Sequence, residues 1–397
     1  MSRKKSILYS LLGQLFLVLS IPIVTRLYLP ETVGLYGEIL AIATIIGINS
    51  ALKLDISLVS TSTKLKNKHV FSGGLIIAFF VSSFASLIYG IFKFDDIESV
   101  LLLLLLSFSI SFNQLVIYFE TSKSNIGFIS KARLKRGFIA ALFQSFGGLI
   151  SASLTVLVLS LAFSNFISLR GRLKYSIKMA YISFRKPYLI KKVLRDKLPF
   201  CKFSLPQGVL NSISTNMPII FLGSVEEYKL LGLYVIAERF IRSPVNFINI
   251  AIRQIFIAEY RKDDNKLNCY LRWLFPLVLI CVILTFFIHK YSSLVVDILL
   301  GSDWLEVSSI ISILLPWLVL SIIQVPASGT FIVTNKIKQY AQIEMIDFSL
   351  KVLALLVGLL KNDVMMSLKL FVIVGSMTYV ITVVISFFIN FNARVNR

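Results

Sequence analysis

The sequence predicts an all-α polytopic membrane protein with about 12 transmembrane helices, arranged as two six-helix lobes around a central cavity. Three observations predict it. The first is composition: 56% of the 397 residues are hydrophobic and 15% are charged, with mean hydropathy +0.82, whereas a soluble domain carries about 25% charged residues. The second is a one-sided distribution of lysine and arginine between alternate loops. The third is a short pattern that recurs at half the chain length.

A spanning helix needs ~20 mostly apolar residues. Runs of that kind fall at 7–25, 33–58, 70–92, 99–119, 132–149, 151–169, 204–222, 233–256, 271–289, 306–333, 342–360 and 366–390. In lipid only helices and closed barrels satisfy every backbone group. These runs are too long and continuous for the alternating ~10-residue strands of a membrane barrel.

The net charge of +21 suggests nucleic acid until its distribution is read. With the N-terminus placed in the cytoplasm, the inside segments hold 30 lysines and arginines. The outside segments hold six: Arg26, Lys93, Lys229, Lys290, Lys361 and Lys369. This is the positive-inside pattern. The charge reports topology, no nucleic-acid partner is implied, and both termini are expected in the cytoplasm of a multi-pass chain. The fifth and sixth runs are expected to be separate helices, because merging them would move every later loop to the wrong side. The first run follows Arg3, Lys4 and Lys5 and lacks a small-x-small cleavage pattern, so it is expected to be an uncleaved span.

The longest hydrophilic stretch, Arg170 to Lys202, holds eleven lysines and arginines. It divides the chain into a first lobe at 1–169, a cytoplasmic basic connector at 170–203 and a second lobe at 204–397. Its amphipathic character suits the surface of an anionic leaflet. Gly34-Leu35-Tyr36 and Gly232-Leu233-Tyr234 lie 198 residues apart, and Ile21-Pro22-Ile23 and Met217-Pro218-Ile219 lie 196 apart. In that order and at those offsets they favour a duplicated six-helix unit. Parallel repeats of this kind place a substrate site between them in many transporters.

Ionisable residues inside a bilayer normally face the bundle interior or a water-filled cavity. The eighth run carries Arg239, Arg242, Asn246, Asn249 and Arg253. On a helix these five occupy an arc of about 80° and a length of about 21 Å. Glu238 can pair with Arg242 at i,i+4, and Pro244 is expected to bend the helix. Snorkelling and acid partners remain open for these arginines, most evenly for Arg253. The second run carries Glu38, Asn49, Lys53 and Asp55. The seventh carries Gln207, Asn211 and Ser214, the first Ser10 and Gln14, and the eleventh Glu344, Asp347 and Lys351. Hydrogen bonding between helices is the simpler reading of the amides, and an internal salt bridge is the simpler reading of the eleventh run.

No nucleophile with a partnered base, phosphate loop or metal-ligand spacing is present, so no enzyme activity and no cofactor are expected. The cysteines Cys201, Cys269 and Cys281 lie near the cytoplasmic side or within the bilayer, where a disulfide is not expected.

The segment Thr25-Arg26-Leu27-Tyr28-Leu29-Pro30-Glu31-Thr32-Val33-Gly34-Leu35-Tyr36 resembles the opening of the second helix in Wzx-type O-antigen and polysaccharide flippases. These are members of the multidrug/oligosaccharidyl-lipid/polysaccharide exporter superfamily. Leu198-Pro199-Phe200 through Pro218, then Gly232-Leu233-Tyr234 with Arg239 and Ser243-Pro244, and Gly301 to Glu306 with Trp304 extend the likeness over nearly the whole chain. The fifth and sixth runs depart from the usual spacing.

The resemblance implies a flippase of a bacterial inner membrane. It would move an undecaprenyl-diphosphate-linked oligosaccharide repeat unit from the cytoplasmic to the periplasmic leaflet by alternating access. The product would feed O-antigen, lipopolysaccharide or capsule assembly alongside a polymerase and a chain-length regulator. Arg239, Arg242, Arg253, Lys53 and Arg26 would form its cationic cavity, since arginine suits bidentate phosphate contacts. Asn211, Asn246, Asn249 and Gln14 would line the polar lumen. Glu38, Asp55, Glu238 and Asp347 are candidates for coupling to H+ or Na+. Alternatives are an exporter of another lipid-linked or small organic substrate, and a membrane polymerase or ligase of the same pathway.

Overall fold

The protein is described by a computed structural model covering residues 3–60, 64–93, 96–334 and 336–395. The ends to which the expectation of cytoplasmic termini applies, residues 1–2 and 396–397, lie outside the described residues. Among the described residues there is no strand. The helices are α1 (Arg3–Leu19), α2 (Ile21–Leu27), α3 (Pro30–Ser50), α4 (Leu54–Ser60), α5 (Lys64–Lys93), α6 (Ile97–Ser122), α7 (Ile126–Ile150), α8 (Leu154–Ser168), α9 (Arg170–Arg185), α10 (Pro187–Ser224), α11 (Tyr228–Lys262), α12 (Lys266–Leu300), α13 (Val307–Val333), α14 (Ile337–Leu360) and α15 (Val364–Val395).

Each of the twelve expected runs lies largely on helix. Seven described segments are long and apolar enough to cross a membrane: Leu8–Leu27, Pro30–Ser50, Asn67–Lys93, Ile97–Ser122, Lys266–Leu300, Val307–Val333 and Val364–Asn392. α8 and α9 together would make an eighth, bent by 84°. The other long helices, α7, α10, α11 and α14, are interrupted by polar or charged residues. The chain is a multi-pass, all-α membrane protein.

Local chemistry sets the breaks. Prolines sit in the first turns of α2, α3 and α10, where their missing N–H is not needed. Asp96 caps α6, accepting from the Ser99 N–H at 2.7 Å, and that bond holds its carboxyl below the usual carboxylate range. Ser153 accepts from the Val156 N–H at the start of α8. The fifth and sixth runs are therefore two helices, α7 and α8. They pack so closely that a Cβ on Gly147 would come 2.5 Å from Val156.

One expectation is corrected. The second run, 33–58, is not one helix. It breaks at Ala51-Leu52-Lys53, where Leu52 and Lys53 take φ of 50° and 61°. Side chains rarely adopt that left-handed region. Within the expected connector, 170–203, two helices occur, α9 and the first half of α10. α10 begins at Pro187 and runs unbroken through the seventh run to Ser224.

The chain divides into two compact units, Met1–Gly232 and Leu233–Arg397. The first includes α10 and the opening turn of α11. Its core stacks Phe71 on Phe119 at 4.2 Å between ring centres, with Leu54, Leu58 and Leu115 buried around them. Here the two repeat glycines meet. A Cβ on Gly34 would lie 2.0 Å from the carbonyl oxygen of Tyr228, and a Cβ on Gly232 would lie 1.9 Å from that of Pro30. Pro30 and Tyr228 are separated by the same 198 residues as the two glycines. The approach of α3 to the opening turn of α11 is thus reciprocal about the pair, and only residues without a side chain permit it.

The second unit is built around α13, which is mostly buried, whereas α12 is mostly exposed. α12 turns Phe275, Leu279, Val282 and Phe286 outward, as a helix facing lipid does. Phe256, Tyr260, Cys269, Tyr270 and Ala327 form a second core, in which the Tyr260 hydroxyl donates to Asn390.

Candidate functional site

In the first unit the buried charges of α3 and its break face α10. α3 and α10 run antiparallel, and three pairs keep one register: Glu38 with Gly223, Asn49 with Ser212, and Lys53 with Gly208. A Cβ on Gly208 would fall 2.0 Å from Lys53 Cε, and one on Gly223 would fall 2.6 Å from Glu38 Cδ. The two glycines are the space into which a lysine and a glutamate fold. Asn49 donates to Ser212 Oγ at 3.0 Å.

Lys53 is 5% and Asp55 0% exposed. The Lys53 ammonium donates to the Ile48 carbonyl at 3.4 Å, and the Gln114 amide donates to Asp55. On one helix Lys53 and Asp55 would point apart. The break lets both enter the interior of the unit. Glu38, 1% exposed, accepts from the Tyr89 hydroxyl at 3.4 Å and lies 3.9 Å from the Lys93 ammonium. Lys93 also donates to the Gly223 carbonyl at 2.8 Å and approaches Glu226 at 3.8 Å.

In the second unit the polar groups meet around one indole. α11 continues through Pro244 as a single helix, so the spacing of its polar strip is kept. Arg242 pairs with Glu238 at 2.7 Å, and its guanidinium lies 5.2 Å from the centre of the Trp317 ring. The Lys351 ammonium lies over the same ring at 5.2 Å and over Phe371 at 5.2 Å. It pairs with Asp347 at 2.6 Å. Two cations thus lie against the ring of one tryptophan, each neutralised by a carboxylate one helical turn away. The Asn249 amide donates to Ser321 at 3.4 Å.

The structure therefore brings together Lys53, Asp55 and Asn49 in the first unit, and Arg242, Glu238 and Asp347 in the second. Arg239 is half-buried and has a partner of its own. Gln14, Arg26, Asn211, Asn246 and Arg253 are exposed. On α10 the α3-facing side carries Gly208, Ser212 and Gly223, while Gln207 and Asn211 are exposed. Sequence reasoning missed Gly208, Gly223 and Trp317. The glycines carry no polar signal, and a tryptophan in an apolar run reads as core. An available hint was that Gly208 and Gly223 have the same separation as Lys53 and Glu38.

Comparison with known proteins gives a consistent picture. No curated protein sequence matches the chain significantly. Among solved structures, the chain is similar to an inward-facing multidrug resistance MATE family transporter of the MOP superfamily, at 15% identity and TM-score 0.61 over 99% of this chain and 96% of that one. It is also similar to the lipid II flippase MurJ in an inward closed conformation, at 15% identity and TM-score 0.66 over 98% of this chain and 91% of that one. These likenesses establish the fold. The family model described as "Polysaccharide biosynthesis protein" matches residues 23–309, well over half the length, and the chain belongs to that family.

Proposed function

We propose that this protein is a flippase of the bacterial inner membrane. It moves an undecaprenyl-diphosphate-linked oligosaccharide repeat unit from the cytoplasmic to the periplasmic leaflet for polysaccharide assembly, as O-antigen or capsule, by alternating access. The observation that carries the reading is the cationic and amide strip on α11, held on a continuous helix with Arg242 fixed by Glu238 and Trp317. An anionic diphosphate requires such donors in a low-dielectric setting, and arginine presents them as a planar fork. The family match supports a role in polysaccharide assembly, and the MurJ likeness is to a protein that flips a lipid-linked substrate. An exporter of small organic cations would need net acid at the site, whereas the α11 strip is net basic.

In this reading Arg239, Arg242, Arg253, Lys53 and Arg26 contact the diphosphate during passage. Asn211, Asn246, Asn249 and Gln14 contact sugar hydroxyls. Glu38, Asp55, Glu238 and Asp347 are the acids available to couple H+ or Na+, since one charge crossing 100 mV is worth about 2.3 kcal/mol. A polymerase and a chain-length regulator would receive the product. The chemistry is transport, with no bond made or broken.

The test is a deletion strain assayed for surface polysaccharide and for undecaprenyl-linked intermediates. Complete repeat units accumulating on their lipid, inaccessible from the periplasm, are expected. Incomplete units, or complete units already accessible from outside, would move the protein to a synthetic step. Complementation with Arg239→Ala/Arg242→Ala at normal protein level should leave export absent. Full export by that variant would remove the strip from the substrate path.

A further inference from the structure

In the first unit, α7 carries four basic residues within two turns, Lys131, Arg133, Lys135 and Arg136. Helical spacing sorts them into two pairs. At about 100° per residue, Lys131 and Lys135 lie within about 40° of each other, and Arg133 and Arg136 within about 60°. Each lysine stands about 160° from Arg133. Ile129, Gly137, Ala140 and Gln144 are buried and mark the inward side of the helix. Arg133 falls in the middle of their arc yet is exposed, and Arg136, at its edge, is half-buried. A charged side chain on the inward side of a membrane helix faces the bundle interior or a water-filled cavity. Arg136 lies about 15 Å along the axis from Ile126, half the depth of a ~30 Å hydrocarbon core.

Both arginines lack a counter-ion. Among the described residues, neither makes an ion pair or a side-chain hydrogen bond with the protein. The ionisable neighbours of Arg136 are Arg133 and Tyr36 of α3, and Arg133 also neighbours Tyr118 of α6. Asp55, another neighbour of Tyr118, accepts from Gln114 instead. By contrast, Arg172 pairs with Glu120 at 2.9 Å and Arg242 with Glu238 at 2.7 Å. Like charges one turn apart repel, and a cation at membrane depth without an acid is costly until an anion reaches it. The backbone beneath the pair is held in place. A Cβ on Gly137 would come 1.8 Å from the Gly13 carbonyl oxygen, and one on Gly13 would come 2.6 Å from that of Arg133. α1 therefore lies directly against α7 at the arginine turn, and the two guanidinium forks start from a fixed base.

We infer that Arg133 and Arg136 form a diphosphate-binding pair in the first unit, one guanidinium to each phosphate of the lipid-linked substrate. This rests on the transport reading above and adds to it the residues that tell a diphosphate from a monophosphate. Side chains three residues apart on a helix start about 5–6 Å apart at Cβ, and two forks converging from there reach two adjoining phosphates. Arginine suits each contact, because its fork matches phosphate oxygens bidentately. A monophosphate carrier lipid offers the same tail but occupies only one of the two arginines. Lys131 and Lys135, on the other side of the helix, take no part.

The test is native mass spectrometry of the full-length protein from micelles holding undecaprenyl diphosphate and undecaprenyl monophosphate at equal mole fraction. One additional charge-assisted contact corresponds to a preference of roughly tenfold for the diphosphate. Arg133→Gln/Arg136→Gln should bring that preference near parity. Arg133→Lys/Arg136→Lys, which keeps the charge and loses the forks, should fall between. Lys131→Gln/Lys135→Gln removes the same charge from the other side of α7 and should leave the preference unchanged. Because neither arginine has a protein partner, Arg133→Gln/Arg136→Gln should unfold in detergent no earlier than the wild type, and earlier unfolding would show that the pair holds the fold instead. A preference kept by Arg133→Gln/Arg136→Gln would overturn the assignment and leave the flippase reading standing. Equal losses in the arginine and lysine variants would mean diffuse charge and would overturn it too. A wild type that binds neither undecaprenyl lipid would remove the flippase reading along with the pair. Displacement of undecaprenyl diphosphate by equimolar inorganic pyrophosphate would give the pair to a free anion and overturn the lipid-linked assignment.

Discussion

The two units bury charge in different ways. In the first, Lys53 and Asp55 enter the interior where the backbone leaves the helix, with two residues in the left-handed region. Glycines of a neighbouring helix make room for Lys53 and for Glu38. In the second, Glu238–Arg242 and Asp347–Lys351 pair at i,i+4 on unbroken helices, with both cations against the ring of Trp317. Opposite charges one turn apart neutralise each other locally and leave the helix intact. Charges two residues apart cannot do so. The chain accommodates Lys53 and Asp55 by breaking the helix, and broken helices in transporters line substrate and ion paths. The first unit therefore has backbone strain at its polar centre, and the second has paired charge without it.

The largest effect expected from this contrast is at Asp347. Replacing it with Asn leaves Lys351 buried without its partner and should destabilise the protein by about 3–5 kcal/mol. The double variant Asp347→Asn/Lys351→Met should recover most of that loss. Thermal unfolding in detergent reads both, and an Asp347→Asn protein as stable as the wild type would show that the pair is not an isolated unit. Next are the repeat glycines. Gly34→Ala and Gly232→Ala each drive a methyl group into a backbone carbonyl, and each should cost about 1–3 kcal/mol. The reciprocal approach predicts losses of similar size, and a large inequality would show that the two sides are not equivalent.

A smaller effect isolates the strain of the first unit. Lys53→Gly and Lys53→Ala both remove the ammonium, but only glycine relieves the left-handed φ. The glycine variant should be the more stable by about 1 kcal/mol, and equal stabilities would mean the break is unstrained. The smallest effect provides a baseline away from both polar centres. Asp96→Ala removes the α6 cap and should cost about 1 kcal/mol. Because the folded carboxyl is held low, the cap contributes above the ordinary carboxylate range. Its contribution is lost as the pH falls through the folded pKa, and a pH series of unfolding midpoints measures this.

The α11 strip and its Glu238–Arg242 pair were legible in the sequence because helical spacing alone places those side chains. The separation of α7 from α8 was legible from loop charge, since one merged helix would have inverted the distribution of basic residues. The break after Ser50 was not. Ala51-Leu52-Lys53 contains neither glycine nor proline, the usual signals of a break. Its left-handed φ values accompany the burial of Lys53 against Gly208. The continuity of α10 was also hidden, because its basic first half is polar enough to read as a loop.

By itself the sequence determined the all-helical membrane architecture, the position of every long apolar run and the polar strip of α11. These follow from hydropathy and from a fixed helical period, both properties of a single segment. Only the tertiary structure decided which residues meet. It set the reciprocal approach at Pro30–Tyr228 and Gly34–Gly232, the antiparallel register of α3 with α10, and the placing of Arg242 and Lys351 against Trp317. Such contacts depend on the close approach of segments far apart in the chain. They are made possible by residues whose contribution is an absence of side chain or a neutral ring, and these leave no periodic trace along a single helix.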